Sequence, residues 1–140
     1  MNIRKLNKDD YNNFYKLINQ FRKTEFDNNQ FIDLLDKLDK QKNNEIWIIE
    51  KDNIFIASAT IIYEYKYIFN ICCLAHIEDV IVDINYRRLG YGKKLIEFLI
   101  NLAKNNNCYK ITLDCSYDNI FFYESCGFEK RGHQMTYLLN

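Results

Sequence analysis

Proline is absent from these 140 residues, glycine occurs four times and tryptophan once, and neither charge sign is in excess. Without a proline-, serine- or glycine-rich stretch or a repeat, the chain has no linker at which to divide. Its length suits one domain, residues 1–140, around one core. Nineteen basic and nineteen acidic residues cancel, which argues against a nucleic-acid partner held by a general basic surface. The longest apolar run, Ile54 to Tyr63, contains Ser58 and Thr60 and is too short to span a bilayer. The opening "MNIRKLNKDDYNNF" has no signal-peptide hydrophobic region, so a cytoplasmic protein with no membrane contact is expected. Its five cysteines are expected to stay reduced. They are odd in number, Cys72 and Cys73 are adjacent, and no C-x-x-C occurs, so no metal site is expected. Cys108, Cys115 and Cys126 read as small buried residues.

Hydrophobic residues make up 48% and charged residues 27%, a globular composition. The abundant Tyr and Phe read as core filling. "NIRKL" (2–6) suggests a first strand. Asp9 or Asp10 can cap a helix carrying Tyr11, Phe14, Tyr15, Leu17, Ile18 and Phe21. "RKTEFD" (22–27) breaks it, and Asp27 or Asn28 can cap a second helix through about Leu38, with Phe31, Leu34, Leu35 and Leu38 apolar. Residues 45–65 read as two strands joined by a tight turn at Asp52-Asn53, and 74–82 as another strand. A helix runs from about Tyr91 to Asn105, with Leu95, Leu99, Leu102 and Ala103 on one face. Then come a strand at 109–114, a short helix at 119–126 capped by Asp118 or Asn119, and a last strand or hairpin at 128–139. The order β-α-α-β-β-β-α-β-α-β predicts an α/β fold: a mixed sheet flanked by helices. The unit from 74 to 114 should be parallel and right-handed, and any splay at the C-terminal ends of its strands opens a cleft.

Two of the four glycines fall in "YRRLGYGKK", Tyr86 to Lys94, between that strand and its helix. A strand-to-helix turn exposes the first helical amides, which have no partners inside the helix and sit at the positive end of its dipole. Glycine adds backbone freedom and removes a Cβ that would block a ligand. The stretch therefore suits an anion such as a pyrophosphate, strengthened by Arg88, Lys93 and Lys94. The spacing matches neither a Walker A loop, which needs G-x-x-x-x-G-K-[ST], nor a Rossmann fingerprint, which needs G-x-G-x-x-G early in the fold. On this stretch alone, a plain glycine turn in basic surroundings remains the alternative.

The arrangement Arg87-x-x-Gly90-x-Gly92 resembles the acetyl-CoA pyrophosphate loop of the GNAT superfamily of N-acetyltransferases. "DNIFFYESCGF", Asp118 to Phe128, is similar to a second signature of that superfamily. "HIEDVIV" (76–82), "CYKITLDC" (108–115) and "FYESCGF" (122–128) resemble the eukaryotic glucosamine-6-phosphate N-acetyltransferase family. The likeness is dense from His76 to Phe128 and weak before Lys66. It implies a GNAT fold with a splayed sheet and acetyl-CoA as cosubstrate without a metal. It also implies transfer of acetyl to the 2-amine of D-glucosamine 6-phosphate, by direct amine attack in a ternary complex, on the route to UDP-N-acetylglucosamine. A homodimer is implied, with the sugar site near the interface. The alternatives are a GNAT enzyme for another amine (a polyamine, amino acid or protein amine) and a non-catalytic acyl-CoA-binding sensor.

The resemblance also suggests roles. Val80, Ile81 and Val82 present backbone to the pantetheine arm. Arg87, Arg88, Leu89, Gly90, Tyr91, Gly92 and Lys93 hold the pyrophosphate, and Asn119 touches the cofactor. Tyr123 faces the leaving sulfur, since a phenol can donate a hydrogen bond or a proton to a thiolate; a core-facing Tyr123 is the alternative. Glu78 and Asp79 lie beside the sugar, with Val80, and Asp114 beside the reacting amine; paired structural carboxylates are the alternative for the first two. Strand alternation puts Glu78 and Val80 on one face and Asp79 on the other. The group that takes the amine proton is left open between a water relay and a backbone carbonyl. Lys66, Tyr109 and Lys110 fall near the sugar phosphate, and Lys110 is a candidate to act across the dimer. Two family cations are missing: Leu138 and Phe69 stand in their places, and Arg22, Lys23 or Thr24 are candidates to compensate.

Overall fold

A computed structural model describes residues 1–139. The elements run β1 (Asn2–Lys5), α1 (Tyr11–Phe21), α2 (Asn28–Gln41), β2 (Asn44–Lys51), β3 (Ile54–Lys66), β4 (Cys72–Val82), α3 (Tyr91–Asn105), β5 (Cys108–Thr112) and α4 (Ile120–Ser125), with single 3₁₀ turns at Ile84–Tyr86 and Tyr117–Asn119. The sheet keeps sequence order, β1-β2-β3-β4-β5. Its first three pairings are antiparallel, and β4 with β5 is parallel.

Local chemistry accounts for the boundaries. Asp27 and Gln30 form a reciprocal capping box at the start of α2, the Asp27 carboxylate accepting from the Gln30 amide at 2.8 Å. Asp10 does precede α1, but its carboxylate does not cap it. Both oxygens accept from Arg4, at 2.8 and 2.9 Å, which ties β1 to the helix start. The Asp52-Asn53 turn has positive φ at both residues, 51° and 61°, as a two-residue hairpin of matching twist requires.

Two clusters fill the two sides of the sheet. Leu95, Ile96, Leu99 and Ala103 of α3 pack with Ile49, Ile56, Ile61, Ala75 and Ile77. Phe14 and Leu17 of α1 and Phe31 and Leu35 of α2 pack with Ile48, Phe55 and Ile81. Each large side chain fully removed from water contributes about 1.5–3 kcal/mol, so the helices are held chiefly by these faces.

Three expectations need correction. No strand forms over Phe128–Leu139; among the described residues β5 is the last strand, and Met135, Tyr137, Leu138 and Leu139 are exposed. Alternating apolar residues supply a strand pattern but not a partner, and within one chain no strand pairs with this segment. Cys115 is exposed and Cys108 and Cys126 only half-buried. The aromatics are not all core: Tyr65, Tyr67 and Phe69 of the β3–β4 hairpin are exposed, Tyr67 to 91%. Among the described residues no helix is long and apolar enough to cross a membrane.

Candidate active site

The parallel ladder between β4 and β5 begins at Cys73↔Cys108 and stops at His76↔Thr112. Beyond that rung β4 continues to Val82, paired only with β3. The strands part there, and the side of β4 turned to β5 has free backbone from about Ile77 onward. This is the splay expected from the strand-helix-strand unit.

A bulge sits at the splay. Ser58 pairs with Ile81 and Thr60 with Glu78, so Asp79 and Val80 together oppose Ala59. Asp79 takes φ 51°, left-handed for a non-glycine residue, as bulges near functional sites do. The bulge breaks the alternation. Val80 and Val82 pack with Ile77 on the α3 side and Ile81 on the α1–α2 side. Glu78 therefore does not share a face with Val80, as uniform alternation required; it stays on the side of Leu74 and His76. Asp79 is exposed and Glu78 half-buried.

Acidic groups gather across the gap. Burial pushes the Glu78 carboxyl up, and the negative charges of Asp114 and Asp79 push it further, partly offset by His76. A carboxyl whose pKa rises on folding is penalised once ionised, so stability is lost as pH climbs above the ordinary carboxylate range. Glu78→Gln is therefore expected to raise the melting temperature at neutral pH by roughly one or two degrees. The gain should shrink as pH falls below about 4, and thermal scans at both pH values check it.

The anion end is built at α3. Gly90 is its N-cap, at φ 88°, and no side chain caps the helix. The first helical bond is Lys94 N–H to Gly90 O at 3.1 Å, so the amides of Tyr91, Gly92 and Lys93 have no acceptor in the helix. Arg88, at φ 62°, and Lys93 are exposed beside them, and Leu89 is exposed too. Arg87 is committed elsewhere: its Nε donates to Val82 O at 3.1 Å and ties the loop to the end of β4.

The two glycines serve different ends. A Cβ on Gly90 would meet nothing within 4 Å, so its backbone torsion is the requirement. A Cβ on Gly92 would lie 3.2 Å from Phe122 Cζ and 3.3 Å from Val82 Cγ2. Gly92 is thus needed for close packing of α3 against β4 and α4, and not simply to clear space for a ligand. Phe122 is a positioning group that the sequence does not announce; its only signal is its place beside Tyr123.

Tyr123 is half-buried against the α3-side core, its ring 4.9 Å from Phe122 and 6.0 Å from Phe128. The glycine of the Cys126-Gly127-Phe128 stretch explains this. Gly127, at φ 96°, ends α4, and Phe128 N–H returns to Tyr123 O at 3.1 Å. Burial first, then the neighbouring Cys115, Cys126 and Asp114, push the Tyr123 phenol up to about 12. Asn119 stands at the N-cap of α4 without a side-chain capping bond.

The candidate phosphate cations differ. Lys66 is 3.5 Å from Glu64, which also holds His76, so it is not a free charge. Lys110 is exposed, its ammonium 5.4 Å over the Tyr109 ring. Phe69 packs on Tyr109 at 5.1 Å, and Leu138 lies in the exposed terminal segment. Arg22 and Lys23 are exposed between α1 and α2. Among the described residues no group of three or more His, Cys, Asp or Glu could hold a metal ion.

A splayed β4–β5 pair, a bulged β4 and an uncapped glycine helix start are joined by direct comparison with known proteins: the Acetyltransferase (GNAT) family model matches residues 4–128. The chain belongs to the GNAT acetyltransferase family. A glucosamine 6-phosphate N-acetyltransferase of Dictyostelium discoideum is 36% identical over 143 residues, covering 99% of this chain and 91% of that protein. One from Arabidopsis thaliana is 40% identical over 93 residues, covering 65% of this chain and 62% of that protein. The crystal structure of glucosamine-6-phosphate N-acetyltransferase from Arabidopsis thaliana superposes with TM-score 0.94 at 33% identity, covering 99% of this chain and 98% of that one. GNAT enzymes use acetyl-CoA, and the uncapped amides of α3 with Arg88 and Lys93 fit its pyrophosphate.

Proposed function

We propose that this GNAT enzyme transfers acetyl from acetyl-CoA to the 2-amine of D-glucosamine 6-phosphate. The observation that carries this is near-full-length likeness to a glucosamine 6-phosphate N-acetyltransferase; Asp114 also lies near enough to Glu78 for its charge to push the Glu78 carboxyl up. Acetyl-CoA, when bound, supplies an acetyl group activated as a thioester. The α3 amides of Tyr91, Gly92 and Lys93, with Arg88, hold the pyrophosphate. The β4 backbone over Val80–Val82, where the Val82 carbonyl also accepts from Arg87, holds the pantetheine arm.

Asp114 and Glu78 hold the sugar amine, with Asp79 on the sugar side, and orient it for attack. The Tyr123 hydroxyl donates to the departing sulfur. An ordinary thiol titrates near 8.5, well below this phenol at about 12. Full proton transfer from Tyr123 to a thiolate is therefore uphill. The phenol keeps its proton and stabilises the sulfur as a hydrogen-bond donor; solvent water takes the proton the amine gives up and protonates the departed thiolate.

Lys110 supplies the phosphate contact, and we place the sugar site near a homodimer interface in a cytosolic enzyme. A charge-assisted phosphate contact is among the stronger hydrogen bonds. Lys110→Ala should therefore narrow the preference for the phosphorylated sugar by about ten- to a hundred-fold, read from kcat/KM on glucosamine and glucosamine 6-phosphate. A free-thiol release assay with acetyl-CoA over a panel of amines tests the whole reading. Glucosamine 6-phosphate should be the best acceptor, and a preference for a polyamine or amino acid would overturn it.

A further inference from the structure

The β4–β5 ladder ends in a side-chain link that no sequence motif announces. His76 lies on the sheet face of Glu78 and pairs with Thr112 in the last rung. Its Nδ1 lies 2.7 Å from Thr112 Oγ1 on β5, and its Nε2 lies 2.8 Å from Glu64 Oε2 on β3. One imidazole therefore spans three strands where the backbone ladder stops. The carboxylate accepts only, so Nε2 carries the proton and donates to Glu64. In the neutral ring Nδ1 is then the acceptor, and the Thr112 hydroxyl donates to it. Lys66 completes the row, 3.5 Å from the other Glu64 oxygen.

The acceptor side of the site lies just past this link. Two residues beyond His76 comes Glu78, then the Asp79 bulge; two beyond Thr112 comes Asp114. Past the link, no ladder bond sets the separation of those carboxylates. The only other side-chain hydrogen bond between β4 and β5 among the described residues is the Cys108–Cys73 thiol contact at 3.1 Å, at the far end of the ladder. At that end it cannot set the opening of the cleft.

We infer that His76, gripped by Glu64 and Thr112, is a positioning residue that fixes where β4 and β5 part and so sets Glu78 against Asp114 at the amine. The inference rests on the acetyl-transfer reading for its substrate. The link acts on the acceptor and not on the cofactor, whose pyrophosphate end lies at α3.

The test compares Thr112→Val, which keeps the shape and removes the hydroxyl, with Thr112→Ser, which keeps the hydroxyl, and with His76→Gln. Thr112→Val should lower kcat/KM for glucosamine 6-phosphate about three- to tenfold, the scale of one hydrogen bond, with acetyl-CoA affinity unchanged by calorimetry. Thr112→Ser should stay within about twofold of wild type on the same scale. The double variant His76→Gln with Thr112→Val should lose no more than the worse single change, because both break one link. Nitrogen NMR should show His76 Nδ1 as a hydrogen-bonded acceptor in wild type and Thr112→Ser, and not in Thr112→Val. Equal rates for the Val and Ser variants, or additive losses, would overturn the inference. A wild-type protein that ignores the sugar would instead count against the acetyl-transfer reading, while the nitrogen spectra would still report on the link.

Discussion

Tyr123→Phe is expected to lower kcat roughly ten- to a thousand-fold, the range for one positioned donor at a centre of developing charge. Charge appears on the sulfur only as the C–S bond breaks, so the missing hydroxyl is felt in the transition state and little in binding. Acetyl-CoA affinity should stay near wild type, because the ring and its packing on Phe122 and Phe128 remain. The phenol's ordinary range is near 10 and burial takes it to about 12, so no loss of activity from its ionisation should appear below about pH 11. If Tyr123 only fills space, turnover stays near normal and the melting point shifts slightly. Measuring kcat and the unfolding midpoint on one preparation separates the two; a kcat within about twofold of wild type would remove Tyr123 from the mechanism.

Gly92→Val is expected to damage both stability and turnover. Its Cβ alone would press on Phe122 at 3.2 Å and Val82 at 3.3 Å, and two further methyls have no room. Overpacking of this kind costs about 1–3 kcal/mol, or roughly 3–10 °C in melting temperature for a domain of this size. Phe122 is the part free to yield, and it moves α4 with Tyr123, so kcat should fall as well. Gly90→Ala is the contrast. It meets nothing but must hold φ 88°, so its destabilisation of about 1–2 kcal/mol comes from the backbone alone, and the Tyr123 site should survive. Wild-type melting for Gly92→Val would show that the three elements are not packed as described.

Most of the architecture is readable from the sequence because patterning and termini are local. Asp27 with Gln30, the Asp52-Asn53 turn and the apolar stripe of α3 each declare themselves within a few residues. The glycine loop is readable for the same reason, as a helix start that no side chain caps. The Asp79 bulge is not: a left-handed aspartate leaves no mark in an alternating "HIEDVIV", so the faces of Val80 and Glu78 merge. The His76–Thr112 link and the Gly92–Phe122 contact join residues far apart in the chain, and only the assembled sheet brings them together. Lys66, set near the sugar phosphate by the family resemblance, is held by Glu64 two residues before it, whose second bond to His76 leaves no sign in the sequence. The strand expected at 128–139 fails because alternation says nothing about whether an edge is available to pair with it.

The central claim is amide formation on the sugar nitrogen, and product NMR after incubation with carbonyl-labelled acetyl-CoA and glucosamine 6-phosphate tests it most directly. The account predicts the labelled carbonyl in an amide coupled to the proton at sugar carbon 2, with one free thiol released per amide formed. Thiol release without that amide, or an equal yield from glucosamine lacking the phosphate, would contradict it.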